Sequence, residues 1–99
     1  MLFRSYPASV ERYLTGGKVF AATGTATSQG VTLAVSPTLA TVKVWYVEAS
    51  GGSVTVAGAP VNATIPAGEM LLATNAAGWA AGSVTLTGTG SYKVIAAGA

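Results

Sequence analysis

The chain has no cysteine, no histidine and no aspartate, and its only acidic side chains are Glu11, Glu48 and Glu69. Each absence closes a class of chemistry. Without cysteine there is no disulfide and no thiolate nucleophile; without histidine the commonest general base and zinc ligand are gone. Oxygen-rich calcium loops draw on aspartate, so none is expected here. Continuous apolar runs are missing too. The uncharged stretch from Met70 to Tyr92 is longer than the ~20 residues a membrane span needs, and mean hydropathy is +0.54. Yet Asn75, Gly78, Gly82, Gly88 and Gly90 interrupt it, and Ser83-Val84-Thr85-Leu86-Thr87 alternates with period two, so no spanning helix and no membrane partner are expected.

Charge is equally scarce. Charged residues make up 8% of the chain, against about 25% in an average globular domain, which is thin protection for a free monomer. Arg4, Arg12 and Lys18 against Glu11 put +2 near the start, while Lys43 and Lys93 against Glu48 and Glu69 cancel. Three cations without a dense cluster do not make a nucleic-acid footprint. The start itself, Met1 to Pro7, has no seven-residue apolar core and soon reaches Glu11 and Arg12, which is unlike a secretory signal.

What is present is alanine (19), glycine (13), threonine (13) and valine (12), together 57 of 99 residues. That length predicts one small domain. Residues 1–17 form a segment apart, holding both arginines and the aromatics Phe3, Tyr6 and Tyr13. Within it Pro7 to Leu14 has the marks of two helical turns, with proline early and Gly16-Gly17 as a stop. Two roles are open for this N-terminal arm: an irregular strap across the domain's own core, or an arm reaching a neighbouring subunit. If it reaches a neighbour, deleting it weakens attachment more than folding; equal losses favour the strap.

From Lys18 onward short β-branched runs alternate with glycine, serine, proline and asparagine. Candidate strands are Lys18 to Thr23, Gly30 to Val35, Ala40 to Glu48, Ser53 to Ala57, Val61 to Ile65, Glu69 to Thr74, Ser83 to Thr87 and Ser91 to Ala96. The fold class is all-β: an antiparallel β-sandwich or jelly roll of about eight short strands spanning residues 18–99. No connection after residue 18 is long enough for a crossover helix, so a parallel sheet is excluded.

Alternation assigns faces. Val31, Leu33 and Val35, Val54 and Val56, Val84 and Leu86, and Tyr92 and Val94 are expected inward, and the opposing positions are mostly threonine and serine. Threonine suits a pleated surface without adding charge, as at faces that meet other subunits. Ala40 to Glu48 is ambiguous. With Val42, Val44 and Tyr46 inward, Trp45 lies on the sheet surface; with the face inverted, or a bulge inserted, Trp45 is core and Tyr46 reaches its edge. Trp79 sits among small residues and either plugs the end of the sandwich or is an exposed anchor. Candidate partner contacts are therefore Arg4, Tyr6, Arg12, Tyr13 and Lys18, with Trp45 and Trp79.

No catalytic set emerges. The three glutamates have no spacing that suggests an acid–base pair. Thr15-Gly16-Gly17-Lys18-Val19 lacks the glycine spacing and following hydroxyl of a phosphate loop, and Gly88-Thr89-Gly90-Ser91-Tyr92-Lys93 joins two strands instead of opening a helix. The chain is expected not to be an enzyme and to carry no cofactor or metal.

The stretches Thr41-Val42-Lys43-Val44-Trp45-Tyr46, Val61 to Glu69 and Gly82 to Ile95 resemble small virion proteins of tailed bacteriophages: capsid decoration (cement) proteins and related head- or tail-attached β modules. The resemblance implies a virion protein, assembled in the host cytoplasm, that binds and stabilises neighbouring major capsid subunits. Such proteins often act as trimers with an N-terminal arm contributing contacts. The alanine and glycine bias also suits tail, fibre or baseplate modules. A carbohydrate- or receptor-binding sandwich, with Trp45, Trp79, Tyr46 or Tyr92 stacking on sugar rings, is the other alternative. Stoichiometry separates them: an assembling protein is oligomeric or insoluble alone, whereas a sugar-binding module is soluble and binds as purified.

Overall fold

The computed structural model describes residues 18–58 and 62–99, which form eight β-strands and no helix. They are β1 (Lys18–Thr25), β2 (Val31–Ala34), β3 (Thr41–Ser50), β4 (Val54–Ala57), β5 (Ala63–Ile65), β6 (Met70–Ala80), β7 (Ser83–Gly88) and β8 (Ser91–Gly98). The expected helix at Pro7 to Leu14 lies outside the described residues.

The strands pair as a long antiparallel hairpin rolled up on itself: β1 with β8, β2 with β7, β3 with β6, and β4 with β5. Two further antiparallel pairings, β3 with β8 and β4 with β7, join these hairpin pairs into sheets. The result is two four-stranded sheets of order β1-β8-β3-β6 and β2-β7-β4-β5. This is the jelly-roll form of the β-sandwich.

The inward residues are those the alternation picks out. Val54, Val56, Val84 and Leu86 from one sheet, with Tyr92, Val94 and Ala96 from the other, lie buried in a single cluster. Val35 and Leu39, within the β2–β3 connection, join that cluster, and Val31 and Leu33 pack half-buried against it.

β3 departs from simple alternation. Val42 pairs with Gly98 and Val44 with Ala97, so two steps along β3 match one along β8, and Lys43 is the extra residue of a bulge. Opposite, Val42 pairs with Trp79 but Val44 with Thr74, so β6 accommodates residues 75–78 at the same level. There the Ala77 N–H donates to Asn75 Oδ1 at 3.1 Å, as in a turn closed by an asparagine side chain. Gly78 has φ 88°, and a Cβ there would collide with the Thr41 methyl. The bulge resets the parity of β3. Val42 points inward before it, and Trp45, Val47 and Ala49 point inward after it. Val44 and Tyr46 are turned to the opposite face of the sheet.

β6 also runs further than the sequence suggests. The small-residue segment expected as a connection rejoins the sheet where Trp79 and Ala80 pair with Val42 and Thr41.

Candidate functional site

The residues that alternate with the core positions on β2, β4, β5 and β7 form one outer sheet face. Its cross-strand neighbours follow from the register: Thr32 beside Thr85, Thr85 beside Ala57, Thr87 beside Thr55, and Thr55 beside Thr64, with Ala34 beside Ser83 at one end. An isolated bridge adds Thr27 next to Thr87. Thr55 Oγ1 and Thr64 Oγ1 lie 3.0 Å apart and share a hydrogen bond. Thr27, Thr32, Ala34, Ala57, Thr64 and Ser83 are exposed, and Thr55, Thr85 and Thr87 are half-buried among them.

The electrostatics of the two sheets differ. Every charged residue among those described, Lys18, Lys43, Glu48, Glu69 and Lys93, lies on β1, β3 or β8 or in the turn leading into β6. The β2-β7-β4-β5 sheet carries none. A threonine face presents one methyl and one hydroxyl per residue, so covering it strips away no ion's hydration shell. Cores of protein interfaces are depleted in charged residues in the same way.

Trp45 is a correction. It is 0% exposed within the chain, because the bulge at Lys43 turns it into the core, and it has no surface to offer a partner. Tyr46 is 0% and Tyr92 6% exposed, and Trp79 is half-buried against the core cluster. Among the described residues no aromatic side chain is exposed, and Met70 is the sole exposed large hydrophobic. Lys18 is exposed at the start of β1. Arg4, Tyr6, Arg12 and Tyr13 lie outside the described residues.

Glu48 accepts a hydrogen bond from the Tyr46 hydroxyl at 2.7 Å, while Glu69 is exposed in the turn before β6. No cluster of three metal-ligating side chains occurs among the described residues, and they include no helix long and apolar enough to cross a membrane. The glycine-rich stretch at Gly88 to Lys93 is the β7–β8 turn.

The fold and this face thus define an eight-stranded jelly roll with one open, charge-free sheet surface. Compared with known proteins, the chain matches no family model, no curated sequence and no solved structure.

Proposed function

We infer that the protein is a non-enzymatic structural component of a virion, most simply a capsid decoration protein, which associates with copies of itself and binds neighbouring shell subunits. The observation that carries this reading is the uncharged threonine face of the β2-β7-β4-β5 sheet. A protein that spends its life in water disperses charge over its surface, whereas a sheet held against another protein gains from having no ion to desolvate. The jelly roll supports the reading as an analogy of fold, since this architecture recurs in viral capsid and lectin domains. Of those two uses, the lectin type depends on exposed aromatic or polar ligand-gripping groups, and none of the aromatics among the described residues is exposed.

The test is the solution mass by light scattering over a tenfold concentration range, for the natural chain and for the double variant Thr32→Lys/Thr64→Lys. Both positions are exposed, so the two substitutions, with the exposed Thr55–Thr64 hydrogen bond lost, should cost the fold about 1 to 1.5 kcal/mol at most. The natural chain is expected as a stable oligomer, a trimer above all, and the lysine variant as a monomer that still melts cooperatively, at a midpoint lowered only by the lost association. A natural chain that stays at 9.7 kDa throughout, or a lysine variant that still assembles, overturns the role assigned to this face.

A further inference from the structure

The β1-β8-β3-β6 sheet has an outer face of the opposite character. Val44, Tyr46 and Ala97 are 0% exposed and Ile95 is 1% exposed. They form a second apolar cluster, with Val19 and Leu72 half-buried beside it. All six residues belong to this one sheet. Register places them on its far side: Ala21, Ile95, Tyr46 and Leu72 stand in one cross-strand row, and Val19, Ala97 and Val44 in the next. The second sheet spends its inward side chains on the other cluster.

Neighbours within a sheet shield one another's flanks at about 5 Å but leave the tips of their side chains open. Removing a tyrosine ring from water takes a further layer, roughly 10 Å above the sheet. No described residue outside the sheet belongs to the cluster. Residues 59–61 are too short to provide the layer: they join β4 to β5 in the other sheet and reach about 10 Å at most. Residues 1–17 lead directly into Lys18, the first residue of edge strand β1. Fully extended they reach about 55 to 60 Å, several times the ~14 Å width of a four-stranded sheet. They also carry suitable side chains, including Leu2, Phe3, Tyr6, Val10, Tyr13 and Leu14.

We propose that residues 1–17 lie across this outer face of their own chain as a strap, making a third layer over the β1-β8-β3-β6 sheet. The strap's apolar side chains cover Val44, Tyr46, Ile95 and Ala97. The Tyr46 hydroxyl is satisfied by Glu48 along the strand, so the ring can be covered without stranding its polar end. Two roles for the segment are open from sequence, and this face selects the intramolecular one.

Because the chain has no cysteine, a single spin label at Ser9→Cys tests the proposal in the full-length protein. The label is expected to broaden the methyl resonances of Val44, Leu72, Ile95 and Ala97 in the chain that carries it, and to leave those of Thr32 and Thr64 sharp. Label-free isotope-enriched chains mixed with spin-labelled unenriched chains should show no broadening on this face. Broadening that arises only between chains in the mixture overturns the intramolecular strap and assigns the segment to a neighbour. Absence of broadening at these methyls in both samples overturns the proposal altogether. Neither result depends on whether the threonine face assembles, so this test fails or succeeds separately from the proposed function.

Discussion

Trp45→Ala is expected to unfold much of the population, and Trp45→Phe to be tolerated. Truncating a buried tryptophan costs about 3 to 5 kcal/mol, against a total stability of about 5 to 15 kcal/mol for a domain of this kind. Trp45 is 0% exposed and stands between Ala96 on β8 and Ala73 on β6, so small neighbours cannot collapse into the vacated volume. Its indole Nε1 is buried without a hydrogen-bond partner. An unsatisfied buried donor costs about 1 to 3 kcal/mol, and phenylalanine removes that donor while keeping most of the aromatic bulk. The two variants are compared by denaturant midpoint at constant m value. A destabilised Trp45→Phe equal to Trp45→Ala would mean that the indole nitrogen is paired. Unchanged stability in both, with lost assembly, would return Trp45 to the surface.

The strands with one buried face were legible because period two survives in them. Val31-Thr32-Leu33, Val54-Thr55-Val56 and Val84-Thr85-Leu86 each set core-facing side chains against an outward threonine, and the structure keeps every one of those assignments. The charge-poor outer face was visible for the same reason. β3 was not legible. Its burial is continuous from Val44 to Val47, so hydrophobicity no longer marks a face. Its parity, moreover, is reset at Lys43, a residue with no local turn chemistry. The bulge is specified by the registers against β8 and β6, which are long-range facts. β6 misled in the other direction. Asn75 to Gly78 has the composition of a loop and does leave the ladder, but Trp79 re-enters it because its ring packs against the core.

The two outer faces divide the work between them. The outer face of the charged sheet holds the buried patch of Val44, Tyr46, Ile95 and Ala97, and the outer face of the uncharged sheet is open. The assembly experiment therefore targets Thr32 and Thr64 on the open face, and the strap experiment targets Val44 and Ile95 on the buried one.

Gly88→Ala is expected to be nearly as damaging as loss of the tryptophan, and Gly82→Ala harmless. Gly88 closes β7 with φ 132°, a region that side-chain-bearing residues enter at a cost of about 1 to 3 kcal/mol. A Cβ there would also run into the backbone carbonyl of Ser53 and the Val54 Cα. Neither can step aside, because Ser53 O accepts hydrogen bonds from both Thr89 and Gly90 at 3.2 and 3.1 Å, and Val54 pairs with Gly88 itself. Overpacking adds another ~1 to 3 kcal/mol, for a total of about 3 kcal/mol or more. At Gly82 an added Cβ meets nothing within 4 Å, and alanine restricts the unfolded chain, for a change between zero and about 1 kcal/mol in favour of folding. Thermal midpoints of the two variants should therefore move in opposite directions or leave Gly82→Ala unmoved. Equal midpoints would show that the β7–β8 turn relaxes freely, and that the close approach of Gly88 to Ser53 is not what fixes the register of β4 against β7.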